Sequence, residues 1–87
     1  MIERLRPEFV HYMPDVLEEG ILYFSQEFEL AIHLCPCGCQ EKVVTPIGPG
    51  EWTLTLAEEG PSLSPSMGNR FACKSHYWLD KGQIRWA

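Results

Sequence analysis

All four cysteines of this chain fall in two short segments, His33-Leu34-Cys35-Pro36-Cys37-Gly38-Cys39 and Cys73-Lys74-Ser75-His76, which also hold two of its three histidines. Thiolate and imidazole are the side chains that hold Zn²⁺ in a closed tetrahedron. With Zn–S near 2.3 Å, sulfurs sharing one ion lie about 3.7 Å apart, whereas alternate residues of a plain strand have Cα atoms roughly 6.6 Å apart. The backbone through Cys35, Cys37 and Cys39 must therefore curl. Pro36 fixes φ and Gly38 admits φ > 0, so CPCGC has the composition of a metal knuckle. The expected ligands of one structural zinc ion are Cys35, Cys37, Cys39 and Cys73. In the alternative set His76 replaces one clustered thiolate, because Cys73-x-x-His76 is a common knuckle spacing. His33, two residues before Cys35, is a ligand, a support for a ligand or a core histidine with a satisfied ring, and the last reading is preferred.

Two disulfides are the competing use of four cysteines in a short chain. A bridge between residues two apart is strained, and the sequence opens without a charged start followed by an apolar run, so no signal peptide is expected. The expected compartment is the cytoplasm. Eighty-seven residues make one domain, 1–87, of marginal stability on its own, and a structural zinc, with about 10–16 kcal/mol of apparent binding energy in small peptides, would stabilise it. Twelve acidic against seven scattered basic residues give a net charge of -5, which argues against nucleic acid as partner. No apolar run reaches the length of a membrane span.

The elements that must position these residues are short, because seven Gly and seven Pro punctuate the chain. Phe9–Met13 reads as a strand stopped by Pro14, and 15–19 as at most one helical turn ended by Gly20. Ile21–Ser25 and Leu30–Leu34 read as a hairpin whose second strand leads into the cysteine loop. Val43–Thr45 and the alternating Trp52–Ala57 follow, separated by a Pro- and Gly-rich loop. Ser62–Asn69 has no core pattern and reads as a structured loop. His76–Leu79 and Gln83–Trp86 form a closing hairpin turned by Asp80-Lys81-Gly82. The fold class is mainly β, a small antiparallel zinc-ribbon-like domain with one knuckle between the third and fourth strands and Cys73 just before the last hairpin.

GILYFS, AIHLCPCGCQEKVVTP, the tryptophan of EWTL, SLSPSMGN and CKSHYWLDKGQIRWA occur in this order. Together they resemble a small bacterial family of zinc-ribbon-like domains of unknown function, with the pattern HxCxCGC, PS(I/M)GN and CxSHYW, over about Leu17 to the C-terminus. Two positions depart from the pattern, which has Gly at Gln40 and an aromatic at Arg70. Members are encoded beside ubiquitin-like proteins and relatives of their activating and conjugating enzymes. The resemblance implies those proteins as partners and a role in a ubiquitin-like pathway, most simply as the peptidase that trims the precursor or its conjugates.

The sequence contains a matching apparatus. Ser66 lies in a Pro-Ser-Met-Gly turn that can present a hydroxyl, with following backbone N–H groups for an oxyanion. With zinc on four thiolates, His76 is available as general base, and Asn69 or Asp80 as orienter of its imidazole. A metallopeptidase site is the weaker option, since there is no HExxH and only the carboxylate of Glu41 lies near the cysteine loop. The alternative of another class is a zinc-ribbon adaptor that binds protein through Trp52, Trp78, Trp86, Tyr12, Tyr23 and Tyr77, although most of these are expected in the core.

Overall fold

Short runs of alternating polar and apolar residues, cut by Gly and Pro, become eight strands in the computed structural model, which describes residues 1–68 and 72–87. They are β1 (Arg6–Phe9), β2 (Ile21–Ser25), β3 (Leu30–Leu34), β4 (Lys42–Pro46), β5 (Thr53–Ala57), β6 (Gly60–Gly68), β7 (His76–Asp80) and β8 (Gln83–Trp86). No helix occurs among the described residues. The strands form two four-stranded sheets, β1-β2-β3-β4 and β5-β6-β7-β8, each in sequence order. Every pairing is antiparallel except β1 with β2. That pair is parallel because the residues between β1 and β2 cross back over the sheet instead of turning tightly.

One apolar core serves both sheets. Leu22, Ala31 and Val43 come from the first, Leu63, Met67, Tyr77 and Leu79 from the second, and Leu5 and Cys35 from connecting segments. The N-terminal residues bind the parts together: Ile2 donates its N–H to the Pro36 carbonyl (2.7 Å), Leu5 to that of Gly82 (2.8 Å), and Ile84 donates to Glu3 (2.8 Å). At the corner where the β5–β6 and β7–β8 turns meet, a Cβ on Gly60 would lie 2.7 Å from the Gly82 Cα, with Gly60 at φ +147. No larger residue fits there.

Four expectations change. The first strand is Arg6–Phe9, not Phe9–Met13, and it is exposed along its whole length. The apolar content of FVHYM reflects a surface cluster instead, in which Phe9 packs edge-on to Phe24, and Tyr12 against His11 and Phe28. Residues 15–19 form bends and a turn in place of helix. Ser62–Asn69 is not a loop: through Gly68 it is the longest strand of the fold, with Pro61, Leu63 and Met67 buried. Its period-two signal is carried by small serines alternating with apolar residues, and two prolines obscure it. Asn69 itself lies outside the described residues. Finally, the aromatics divide: Tyr23 and Tyr77 are buried and Trp52 half-buried, while Tyr12, Trp78 and Trp86 face solvent.

Candidate active site and metal centre

The first knuckle leaves the end of β3 and turns back into β4. The Cys35 N–H donates to the Glu41 carbonyl (2.8 Å), and that of Gly38 to the Cys35 carbonyl (3.1 Å). Gly38 has φ 96, the left-handed value that the turn requires. Gln40 also sits in this region, at φ 69. Cys73 reaches the same place from the segment entering β7. The Sγ atoms of Cys35, Cys37, Cys39 and Cys73 lie within 4.8 Å of one another. Separations of 3.5 Å for Cys35–Cys37, 3.8 Å for Cys35–Cys73 and 3.6 Å for Cys39–Cys73 far exceed the length of a disulfide bond. These spacings match the roughly 3.7 Å between sulfurs on one tetrahedral zinc. The four cysteines can hold a metal ion.

Ser75 completes the cluster. Its buried hydroxyl lies 3.1 Å from Cys35 Sγ and 3.0 Å from Cys73 Sγ. The Ser75 hydroxyl and then its backbone N–H bring the Cys73 thiol down to about 6, and the same hydroxyl is the first cause lowering Cys37. Cys39 is pushed up to about 12: the Glu41 N–H favours its thiolate, but burial and the neighbouring sulfurs outweigh it. Cys35 is raised, chiefly by burial. Sulfurs this close oppose one another's ionisation, and a dication among them is what would allow all four to lose their protons.

Neither histidine of the two segments joins this group among the described residues. His33 is fully buried, with Nε2 2.7 Å from the Tyr77 hydroxyl. Burial lowers it to about 4, so it is neutral near pH 7. It is a core histidine with one nitrogen satisfied, while Nδ1 is buried without a hydrogen-bond partner among the described residues. His76 opens β7 with its ring on the solvent face, and its Nε2 lies 2.8 Å from Ser66 Oγ.

An irregularity in β6 accounts for that contact. Leu63 is opposite Leu79 and Met67 opposite Tyr77, so Ser64, Pro65 and Ser66 together face the single residue Trp78. Ser64 still pairs with Thr53 on the other side, but Pro65 and Ser66 have no register partner in either neighbouring strand. A bulge of this kind releases a side chain from the ladder and redirects it. Gly68, opposite His76, adds no side chain between the serine and the ring. The pair can transfer a proton: hydroxyl to imidazole within hydrogen-bond reach is the first requirement of an activated serine.

Of the two expected orienters, Asn69 lies outside the described residues. Asp80 instead accepts from Arg85 Nε at 3.0 Å and stands four residues along the strand from His76, roughly 13 Å away. No carboxylate of a described residue forms an ion pair with His76. Its neighbour is Trp78, whose ring stacks on the imidazole with centroids 5.7 Å apart and planes at 26°. Sequence reasoning missed this stack and the role of Ser75. The signals were present as His-x-Trp alternation on one strand face and a hydroxyl two residues after Cys73.

No described helix is long and apolar enough to cross a membrane. No curated protein and no solved structure matches the chain. A family model described as "Bacterial ubiquitination-like system serine protease (BubE)" matches residues 9–87. A serine protease family requires a serine with a base beside it. With residues 9–87 covered, the chain belongs to the BubE family, the serine proteases of a bacterial ubiquitination-like system.

Proposed function

We propose that this chain is a zinc-stapled peptidase that cleaves the ubiquitin-like protein of its pathway, at the precursor's C-terminus or in its conjugates, with Ser66 as nucleophile and His76 as base. The observation that carries this reading is the 2.8 Å contact between Ser66 Oγ and His76 Nε2 on the open face of β6 and β7. His76 Nε2 takes the hydroxyl proton as Ser66 Oγ attacks the scissile carbonyl, then returns it to the leaving amine. A water deprotonated by the same nitrogen hydrolyses the acyl-enzyme. The Ser66 N–H, without a ladder partner in either neighbouring strand, is the candidate donor to the oxyanion. Cys35, Cys37, Cys39 and Cys73 would hold zinc as a structural ion. Four thiolates close its coordination and leave no position for a reactive water, which disfavours a metallopeptidase. In this reading the zinc-ribbon likeness is confined to the two knuckles, which join one sheet to the other.

The test is to incubate the zinc-loaded protein with the neighbouring ubiquitin-like precursor, or a conjugate, and follow the masses of the products. Ser66→Ala and His76→Ala should each lower the rate by about 10⁴-fold or more. Cleavage that survives both substitutions would refute the assignment. The adaptor reading draws on one specific observation, the exposed aromatic cluster of Phe9 (62 %), Tyr12 (69 %) and Phe28 (55 %). Binding of the ubiquitin-like protein without cleavage under any condition would favour it.

A further inference from the structure

A serine–histidine pair needs something to hold the ring in its productive orientation and to stabilise the imidazolium that forms when the serine loses its proton. In many such sites a carboxylate does both. Here no carboxylate of a described residue forms an ion pair with His76: Asp80 is committed to Arg85, and Glu27 to His11. What does touch the imidazole is the indole of Trp78, two residues along β7 and on the same solvent face.

The contact follows from the strand. Residues i and i+2 project to one side, so His76 and Trp78 stand side by side while Tyr77 between them is buried. Trp78 is also the residue that the three-residue bulge of β6 faces, and its partner in β8 is Arg85, itself tied to Asp80. Trp78 thus shares a strand face with the histidine and pairs across the ladder with an ion-paired arginine. An imidazolium over an aromatic face within about 6 Å is stabilised by the ring quadrupole, and the observed 5.7 Å separation is inside that range.

We propose that Trp78 is the positioning residue of the Ser66–His76 pair, holding the imidazole plane toward Ser66 by stacking. This rests on the peptidase reading above and assigns the third member, among the described residues, to an aromatic side chain. Because Trp78 remains 45 % exposed, its replacement leaves the core untouched.

A fluorophosphonate probe tests it without a known substrate. Ser66 Oγ forms a bond to phosphorus, fluoride leaves, and the hydroxyl proton passes to His76 Nε2; the labelling rate is read by mass. Trp78→Leu should slow labelling, and kcat on a cleaved substrate, by about three- to tenfold, with KM within about twofold. Trp78→Phe should restore most of the rate. In the unlabelled protein the His76 ring protons should show an upfield ring-current displacement that Trp78→Leu abolishes and Trp78→Phe partly keeps. No labelling of the unsubstituted protein would overturn the peptidase reading and this inference with it. Normal labelling that is equally fast in Trp78→Leu, or an effect of Trp78→Leu on KM alone, would overturn this inference and leave the peptidase reading standing. His76 resonances unmoved by Trp78→Leu would overturn the stack itself.

Discussion

Cys73→Ser gives the sharpest test of the metal centre, because its cost can be worked from the topology. The cluster fastens Cys39 to Cys73 across 34 residues. Treated as a cross-link, closure of a loop that long removes about 12.6 cal/mol/K from the unfolded chain, or about 4 kcal/mol at 25 °C. A domain of 87 residues has a total stability of about 4–13 kcal/mol. Losing the clip therefore consumes about 30 % or more of what holds the fold together. With an unfolding entropy of about 2.1 cal/mol/K per residue, the midpoint should fall by about 20 °C. Circular dichroism on heating, paired with native mass spectrometry for the zinc, measures both quantities. The zinc-loaded protein should carry one ion. Cys73→Ser should carry none and melt about 20 °C lower, chelation should bring the unsubstituted protein down to the same point, and the variant should not respond to chelator. A metal-free Cys73→Ser protein melting within a few degrees of the zinc-loaded one would refute the argument, because the sulfurs would then meet without contributing to the fold.

Three further outcomes are expected. Ser75→Ala removes the hydroxyl lying between Cys35 and Cys73 and should weaken zinc binding by about 10- to 100-fold in a chelator competition, with the fold intact when zinc is saturating. Gly60→Ala sets a methyl 2.7 Å from the Gly82 Cα, against the backbone of Lys81 and Gly82; a loss of about 2–4 kcal/mol in urea unfolding is expected. Gln40→Gly relieves a left-handed residue at φ 69 and gives up one exposed contact to Glu19 (2.9 Å). The net gain should be about 0.5–1 kcal/mol by the same method.

The cysteine pattern was legible because a metal knuckle has to be local: Cys35 to Cys39 curl within five residues, and proline and glycine announce the turn. The strands that bury one face were legible for the same reason, since Lys42–Pro46 and His76–Asp80 alternate polar and apolar positions. What the sequence hid was made by pairing between distant segments. Nothing in SLSPSMG says that three of its residues will face one tryptophan in β7, because a bulge is a property of two strands and only one is being read. The parallel strand β1 was misplaced because an exposed edge strand carries no burial pattern, while the aromatics after it do look like a strand. His76 was ambiguous for a further reason: Cys-x-x-His fits a ligand and a base equally, and only the direction of the ring separates the two.

The bulge in β6 also has an arithmetical side. It adds an even number of residues to its strand, so Met67 returns to the same face as Leu63 and the inside-outside alternation resumes unbroken. A slip of this segment by one residue against β7 would turn Met67 toward solvent and Ser66 toward the core, exchanging the proposed nucleophile for a core side chain in one step. Register against β7, more than the identity of each residue between Leu63 and Met67, keeps the serine on the outside of the sheet.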